Sequence, residues 1–154
     1  MSGKRFFSLM LLLPVILAAC SPAVALPEPL PTLSDDWTVD LTQSGGFAGV
    51  HLTVEISADG HLKAQDQRTG KSVEQTLSLE TVSRLADLMA GLKISPDAST
   101  YPGCADCFIY DVVIRSGGSI STTRVDDITI GKSGLEELVT FLRKLRNSAL
   151  EINY

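Results

Sequence analysis

A chain of 154 residues with a formal net charge of −5 at pH 7 is acidic and long enough for one small domain with a single core. An acidic chain is a poor candidate for binding nucleic acid or an anionic lipid surface, so we expect no nucleic-acid partner. The sequence also has no Walker loop, dinucleotide-binding fingerprint or nucleophile elbow.

The first twenty residues have the pattern of a bacterial lipoprotein signal. Lys4 and Arg5 precede an apolar run over residues 6–19, which is short for a membrane span and ends in two alanines before Cys20. This ending resembles a lipobox, which implies cleavage after residue 19 and a diacylglycerol on the cysteine thiol. We therefore predict a signal peptide at residues 1–19 and lipidation at Cys20. A simple secretory signal and a short transmembrane anchor are the alternatives.

The predicted lipid also indicates where the protein resides. Acyl chains on Cys20 would hold it in the bacterial cell envelope, on the extracytoplasmic side of a membrane. Ser21 stands where inner-membrane lipoproteins carry an aspartate, so the outer membrane is an expected site in a cell with two membranes. Residues 20–34 contain four prolines and are predicted to be an extended tether before a folded domain at residues 35–154.

Two alternating segments flank a glycine-rich loop. Residues 37–43 and 49–57 carry apolar side chains at every second position, which is typical of strands. The loop consists of Ser44, Gly45, Gly46, Phe47, Ala48 and Gly49. Three glycines allow left-handed backbone conformations, but a tight turn does not require a phenylalanine. The loop either folds Phe47 back onto the core or presents it to a partner, and the sequence leaves both alternatives open.

The register of the next hairpin follows from the face that its apolar side chains must share. Opposite residues of a hairpin point to the same face, and a three-residue loop pairs Ile56 with Leu62. The same register pairs Val54 with Ala64. We therefore predict a third strand at about residues 61–67.

The remaining pattern predicts an α+β fold. Ser78 is the expected N-cap of one helix, and a second helix with a leucine stripe is expected to open at Ser133 or Gly134. Two further strands, and a segment that is either a short strand or a loop, are predicted at residues 108–114, 120–125 and 126–132. The architecture expected is an antiparallel sheet of about four to five strands with two helices packed on one face, in the order ββ(β)α-ββα.

The ionisable side chains do not assemble an active site in this register. His51 and His61 fall on the solvent face of one hairpin, about 20 Å apart at roughly 3.3 Å per residue, which is too far to share a metal or a triad. The adjacent acids Asp35-Asp36 and Asp126-Asp127 point to opposite faces, and solvated loop ends are favoured over weak calcium binding. We predict a protein that is not an enzyme and has no metal site.

Cys104 and Cys107 are separated by two residues. In an exported protein the default state of such a pair is a disulfide across the small loop. A redox-active pair is the first alternative, although catalytic pairs favour a helix N-terminus and a strand follows here. A zinc site is the second alternative and would need two more ligands.

The loop at residues 44–49, between its two strands, resembles the corresponding region of the emfourin-like family of protealysin inhibitors. The order of the later elements is similar, and the likeness extends over about residues 37–149. It implies a small α+β inhibitor of thermolysin-like zinc metalloproteases that carries no cofactor. The lipid signal and the Cys104 and Cys107 pair depart from the pattern of the family.

The resemblance also suggests how a protease would be contacted. Proteases of this family prefer a bulky apolar residue after the scissile bond, and Phe47 between glycines suits such a pocket. Residues 100–107 are the expected second contact, and the domain is expected to be a monomer. The competing classes are an envelope lipoprotein with a binding or structural role and no protease partner, and a redox lipoprotein that uses Cys104 and Cys107.

Overall fold

The computed structural model describes residues 33–95 and 104–152. The predicted signal peptide, the lipidation site Cys20, most of the tether and the first half of the loop at residues 100–107 lie outside these ranges. Within the described ranges, the longest apolar stretch of helix falls short of what a membrane crossing requires.

Six antiparallel strands form one sheet. In chain order they are β1 (Thr38–Gly45), β2 (Val50–Ser57), β3 (His61–Asp66), β4 (Lys71–Thr76), β5 (Phe108–Ser116) and β6 (Ser119–Asp126). Their spatial order is β4-β3-β2-β1-β5-β6, so β1 lies inside the sheet between β2 and β5. The α+β class is confirmed, with slightly more strands than predicted.

The register predicted for the hairpin of β2 and β3 is confirmed. Ile56 pairs with Leu62, and Val54 pairs with Ala64. All four side chains are buried, because both strands turn these alternate positions toward the helices. Gly60 closes the turn at φ 86°, a left-handed conformation that a residue without Cβ adopts at little cost.

The strand missing from the sequence prediction is β4, at one edge of the sheet. Its side chains are exposed apart from half-buried Val73, so it lacks the apolar alternation that marks the other strands. It pairs with the whole length of β3, from Asp66 opposite Lys71 to His61 opposite Thr76. Backbone hydrogen bonding to a strand that is already anchored, rather than burial of its own side chains, stabilises this edge.

Helices cover one face of the sheet: α1 (Leu79–Ala90), the single turn α2 (Ile130–Ser133) and α3 (Glu136–Leu150). Ser78 caps α1 as predicted, because its side chain accepts a hydrogen bond from the N–H of Thr81 at 3.2 Å. Leu85 and Met89 of α1 are buried together with the leucine stripe of α3. These side chains and the inner positions of the strands form one continuous core.

The segment after β6 differs from expectation. The short strand considered there is a helical turn, and α3 begins at Glu136, slightly later than predicted. Gly134 lies between α2 and α3 and has a φ angle of 82°. A Cβ at this position would collide with the carbonyl oxygen of Lys93, in the segment that follows α1. The break is therefore fixed by a contact between distant parts of the chain.

A buried polar contact joins α3 to β1. Arg146 and Gln43 are almost fully buried, and Nη2 of Arg146 donates to Oε1 of Gln43 at 2.7 Å. The same guanidinium donates to the side chain of Asn147. A buried polar group that has lost its hydrogen bonds is costly, so this pair fixes α3 against β1 close to the end of the strand.

Candidate functional site

The loop between β1 and β2 is a closed turn with three left-handed glycines. Gly45 pairs with Val50 at its base, and the N–H of Gly49 donates to the carbonyl oxygen of Gly46 at 3.0 Å. The φ angles of Gly45, Gly46 and Gly49 are 89°, 68° and 60°. We call residues 44–49 the Phe47 loop.

Contacts from two sides brace the Phe47 loop. On the β5 side, the N–H of Gly46 donates to the carbonyl oxygen of Cys107 at 3.1 Å. On the β3 side, Nη1 of Arg68 donates to the carbonyl oxygen of Ala48 at 3.1 Å. The approach on the β5 side is close enough to require glycine, since a Cβ on Gly45 would lie 2.6 Å from the oxygen of Cys107.

Phe47 stands at the tip of this loop and is 99% exposed. The alternative in which its ring folds back onto the core is therefore wrong. Ala48 and Gly49 are also exposed, whereas Ser44, Gly45 and Gly46 are half-buried at the base. Burial of such an exposed ring against another surface would be favourable. The two bracing hydrogen bonds constrain the backbone beneath this ring.

Cys104 and Cys107 form a disulfide, as predicted, with 5.4 Å between their Cα atoms. The bond closes a small ring directly before β5, and Cys107 is the residue whose carbonyl oxygen receives the N–H of Gly46. Two features far apart in the sequence are thus neighbours in the fold. The pairing of Gly45 with Phe108 in the sheet brings them together.

The turn after β6 lies at the same end of the sheet. Asp126 is buried rather than solvated, which corrects the prediction for this acid. Its Oδ1 accepts hydrogen bonds from the N–H groups of Ile128 and Thr129 and from the Thr129 hydroxyl. Burial raises the pKa of Asp126, but these hydrogen bonds outweigh it, and the net pKa lies below the usual value.

Asp127 ties this turn to the beginning of β5. It is exposed as predicted, yet its carboxylate accepts from the N–H of Phe108 and from the hydroxyl of Tyr110, both at 2.8 Å. Burial of the phenol and this hydrogen bond raise the pKa of Tyr110 to about 12. The spacing of Asp126 and Thr129 is the one local signal for this turn, because an Asp side chain commonly accepts from backbone N–H groups two or three residues on.

The other sequence candidates lie apart from the Phe47 loop or do not converge. Asp36 is exposed at the opposite end of the sheet, where hydrogen bonds from the Ser34 hydroxyl and the N–H of Gly117 hold its pKa below the usual value. His61 lies 3.6 Å from a carboxylate oxygen of Glu74, and His51 is paired with Ser44 at the other end of the hairpin. Among residues 33–95 and 104–152, no three His, Cys, Asp or Glu side chains are grouped to hold a metal.

The face of the sheet away from the helices is polar. Its charges pair across strands: Arg115 with Asp40, Arg124 with Asp111, and Lys63 with Glu74. A shallow depression lies on this face between Thr38 and Gln65. These pairs neutralise most of the charge on this face, and Glu55, opposite Asp40, adds one further carboxylate.

Comparison with known proteins identified no relative of this chain. No protein-family model matches the chain, and no curated protein is detectably similar to it in sequence.

Proposed function

We propose that the protein is a lipid-anchored inhibitor of thermolysin-like zinc metalloproteases that inserts the Phe47 loop into the active-site cleft. One observation carries the proposal: a phenylalanine that is 99% exposed stands on a loop braced from both sides. Loops held by a rigid scaffold often carry binding residues, and a fully exposed phenylalanine at the tip of such a loop supports a binding role.

The glycines of the loop suit insertion into a narrow cleft. They add no side-chain bulk next to Phe47, so the ring projects from a thin backbone. The brace also lowers the entropy lost on binding, since the loop backbone is ordered before the partner arrives. A loop of this kind supplies affinity through one deep apolar contact.

The energy of that contact sets a limit. Burying the ring of Phe47 contributes roughly 1.5–3 kcal/mol, whereas nanomolar binding needs about 12 kcal/mol. A tight inhibitor therefore needs additional contacts around the loop. The disulfide ring formed by Cys104 and Cys107 adjoins the loop and is placed to provide some of them.

The proposed location agrees with this role. The predicted lipid on Cys20 and the proline-rich tether would place the domain outside the cytoplasm, where secreted metalloproteases act. Such an inhibitor would protect envelope proteins close to the membrane that holds it. The resemblance to the emfourin-like family supports the same target class.

The test is a titration of thermolysin activity with the full chain in detergent micelles. We expect inhibition close to stoichiometric, and Phe47→Ala should weaken it by about 10- to 150-fold, as expected for one lost phenylalanine contact. Ile120→Ala is the matched control, because it removes an apolar side chain that is 68% exposed at the opposite end of the sheet. Full thermolysin activity at excess wild-type protein would contradict the proposal and favour an envelope lipoprotein with another partner.

A further inference from the structure

A second exposed apolar side chain lies at the same end of the sheet as Phe47. Ile128, in the turn between β6 and α2, is 65% exposed. It sits between residues that fix its backbone, since the N–H groups of Ile128 and Thr129 both donate to Oδ1 of Asp126. Like Phe47, it is an apolar side chain held in solvent by a rigid turn.

A short path of hydrogen bonds connects the two turns. The N–H of Gly46 donates to the carbonyl oxygen of Cys107, and the N–H of Phe108, the next residue, donates to Asp127. Cys107, directly before β5, therefore holds the Phe47 loop, and Phe108, the first residue of β5, holds the Ile128 turn. The strands that carry the two turns are both neighbours of β5, which sets them about 10 Å apart across the sheet.

We infer that Phe47 and Ile128 form one two-point recognition surface, for a partner protein whose cleft has two apolar pockets on either side of the disulfide ring. The inference rests on the proposed function and extends it by naming the second contact. The spacing is set because the Phe47 loop is anchored to Cys107 and the Ile128 turn, through Asp127, to the adjacent Phe108. A partner thus recognises a defined distance between two apolar groups as well as the groups themselves.

The remaining exposed apolar side chains do not form such a pair. Leu79 begins α1 next to the turn between β2 and β3, since Leu77 donates its N–H to the carbonyl oxygen of Gly60. Ile120 lies near the beginning of β6, at the opposite end of the sheet from Phe47 and Ile128. Of the exposed large apolar side chains among residues 33–95 and 104–152, only Phe47 and Ile128 share an anchoring segment.

The experiment measures both binding and inhibition of thermolysin by the full chain in detergent micelles. Ile128→Ser is expected to weaken binding by about tenfold, as expected from the loss of a partly buried apolar contact. Ile120→Ser is the control, since it removes the same side chain at similar exposure, and it should change binding by less than about twofold. The thermal midpoint of each variant, measured in parallel, shows that the fold is retained.

The outcomes separate the inference from the proposed function. Inhibition by the wild type together with unchanged binding of Ile128→Ser overturns the two-point surface and leaves the inhibitor role intact. Binding without inhibition, weakened by Ile128→Ser, supports the surface and overturns the inhibitor role. Absence of both binding and inhibition overturns both. If Ile128→Ser lowers the thermal midpoint, Ile128→Val keeps the test valid, because it removes one methylene and should still weaken binding more than Ile120→Val.

Discussion

The same tripeptide, Ser-Gly-Gly, turns the chain at both ends of the sheet, and it builds two different structures. At residues 116–118 it makes a compact two-residue hairpin, in which Ser116 pairs with Ser119 and Gly117 and Gly118 have φ angles of 55° and 79°. At residues 44–46 it opens a wider turn, and the next residue, Phe47, stands fully in solvent.

The surroundings of each tripeptide account for the difference. The N–H of Gly117 is bound by the carboxylate of Asp36, and Ser34 donates its N–H to the hydroxyl of Ser116, so the chain just before β1 closes over this hairpin. The N–H of Gly46 is bound by a backbone carbonyl of the disulfide ring, which leaves the tip of the loop uncovered. The hairpin at residues 116–118 is covered by the chain before β1. The Phe47 loop is braced at its base and uncovered at its tip, which is the arrangement expected of a binding loop.

The largest expected difference between the two turns concerns their glycines. Gly45→Ala should lower the free energy of unfolding by about 3 kcal/mol, because it combines left-handed strain with a clash against the carbonyl oxygen of Cys107. Gly118→Ala meets no atom within 4 Å and should cost only the strain, about 1 kcal/mol. Urea unfolding of both variants measures the difference, and equal losses would mean that the disulfide ring does not press on the Phe47 loop.

The next effect comes from opening the disulfide ring that adjoins the Phe47 loop. The double substitution of Cys104→Ser and Cys107→Ser should cost about 2 kcal/mol, the value expected for so short a closed ring. Amide hydrogen exchange should become faster at Gly46, whose acceptor is Cys107. Exchange at Gly117, bound by Asp36, serves as the internal control, and equal acceleration at both sites would show general rather than local loosening.

Acid should lower the stability of the turns at both ends of the sheet, by less than the loss of the disulfide does. Hydrogen bonds lower the pKa of exposed Asp36 at one end. At the other end burial raises the pKa of Asp126, and hydrogen bonds from Thr129 and Ile128 outweigh that effect. Because the folded-state pKa lies below the unfolded value of about 3.9, the stabilisation is complete above about pH 4 and is lost as the pH falls through the folded-state pKa. Thermal midpoints between about pH 6 and about pH 2 should decline on the acid side.

Asp126→Asn tests the share of this decline that belongs to the Phe47 end. The amide keeps an oxygen acceptor for the N–H groups of Ile128 and Thr129 but does not titrate in this range. The variant should therefore show a shallower acid decline than the wild type. An identical decline would assign the effect to other carboxylates.

The smallest effect on stability is expected at the most exposed side chain. Phe47→Ala should change the free energy of unfolding by less than about 0.5 kcal/mol, since its ring is 99% exposed. Thermal unfolding beside Ile120→Ala provides the comparison. A marked loss of stability for Phe47→Ala alone would show that the ring packs against the domain in solution, and the contrast between the two turns would disappear.

Several elements follow directly from local patterns. The hairpin register at Ile56 and Leu62 could be predicted because burying one face of a strand allows only one alignment. The cap at Ser78 could be predicted because its side chain acts on an N–H three residues away. Strand β4 could not, since its exposed side chains carry no periodic signal and it exists through its pairing with β3.

The candidate site was predictable only in part. The sequence placed Phe47 among glycines and left open whether its ring was buried or exposed. It also predicted the disulfide, but nothing local relates Cys107 to Gly46. The solvated end expected at Asp126 was wrong, because this carboxylate is buried and accepts hydrogen bonds from Ile128 and Thr129.

The sequence by itself determined the α+β class, most of the strands and the two long helices. It also identified residues 44–49 as the candidate binding loop. Periodic burial and capping depend on neighbours a few residues apart, so the order of amino acids encodes them directly. The tertiary structure alone decided that Phe47 faces solvent and that the disulfide ring braces its loop. It also brought Ile128 to the same end of the sheet. These relations arise from the placement of β5 between β1 and β6, which joins segments that are more than sixty residues apart at Gly46 and Cys107.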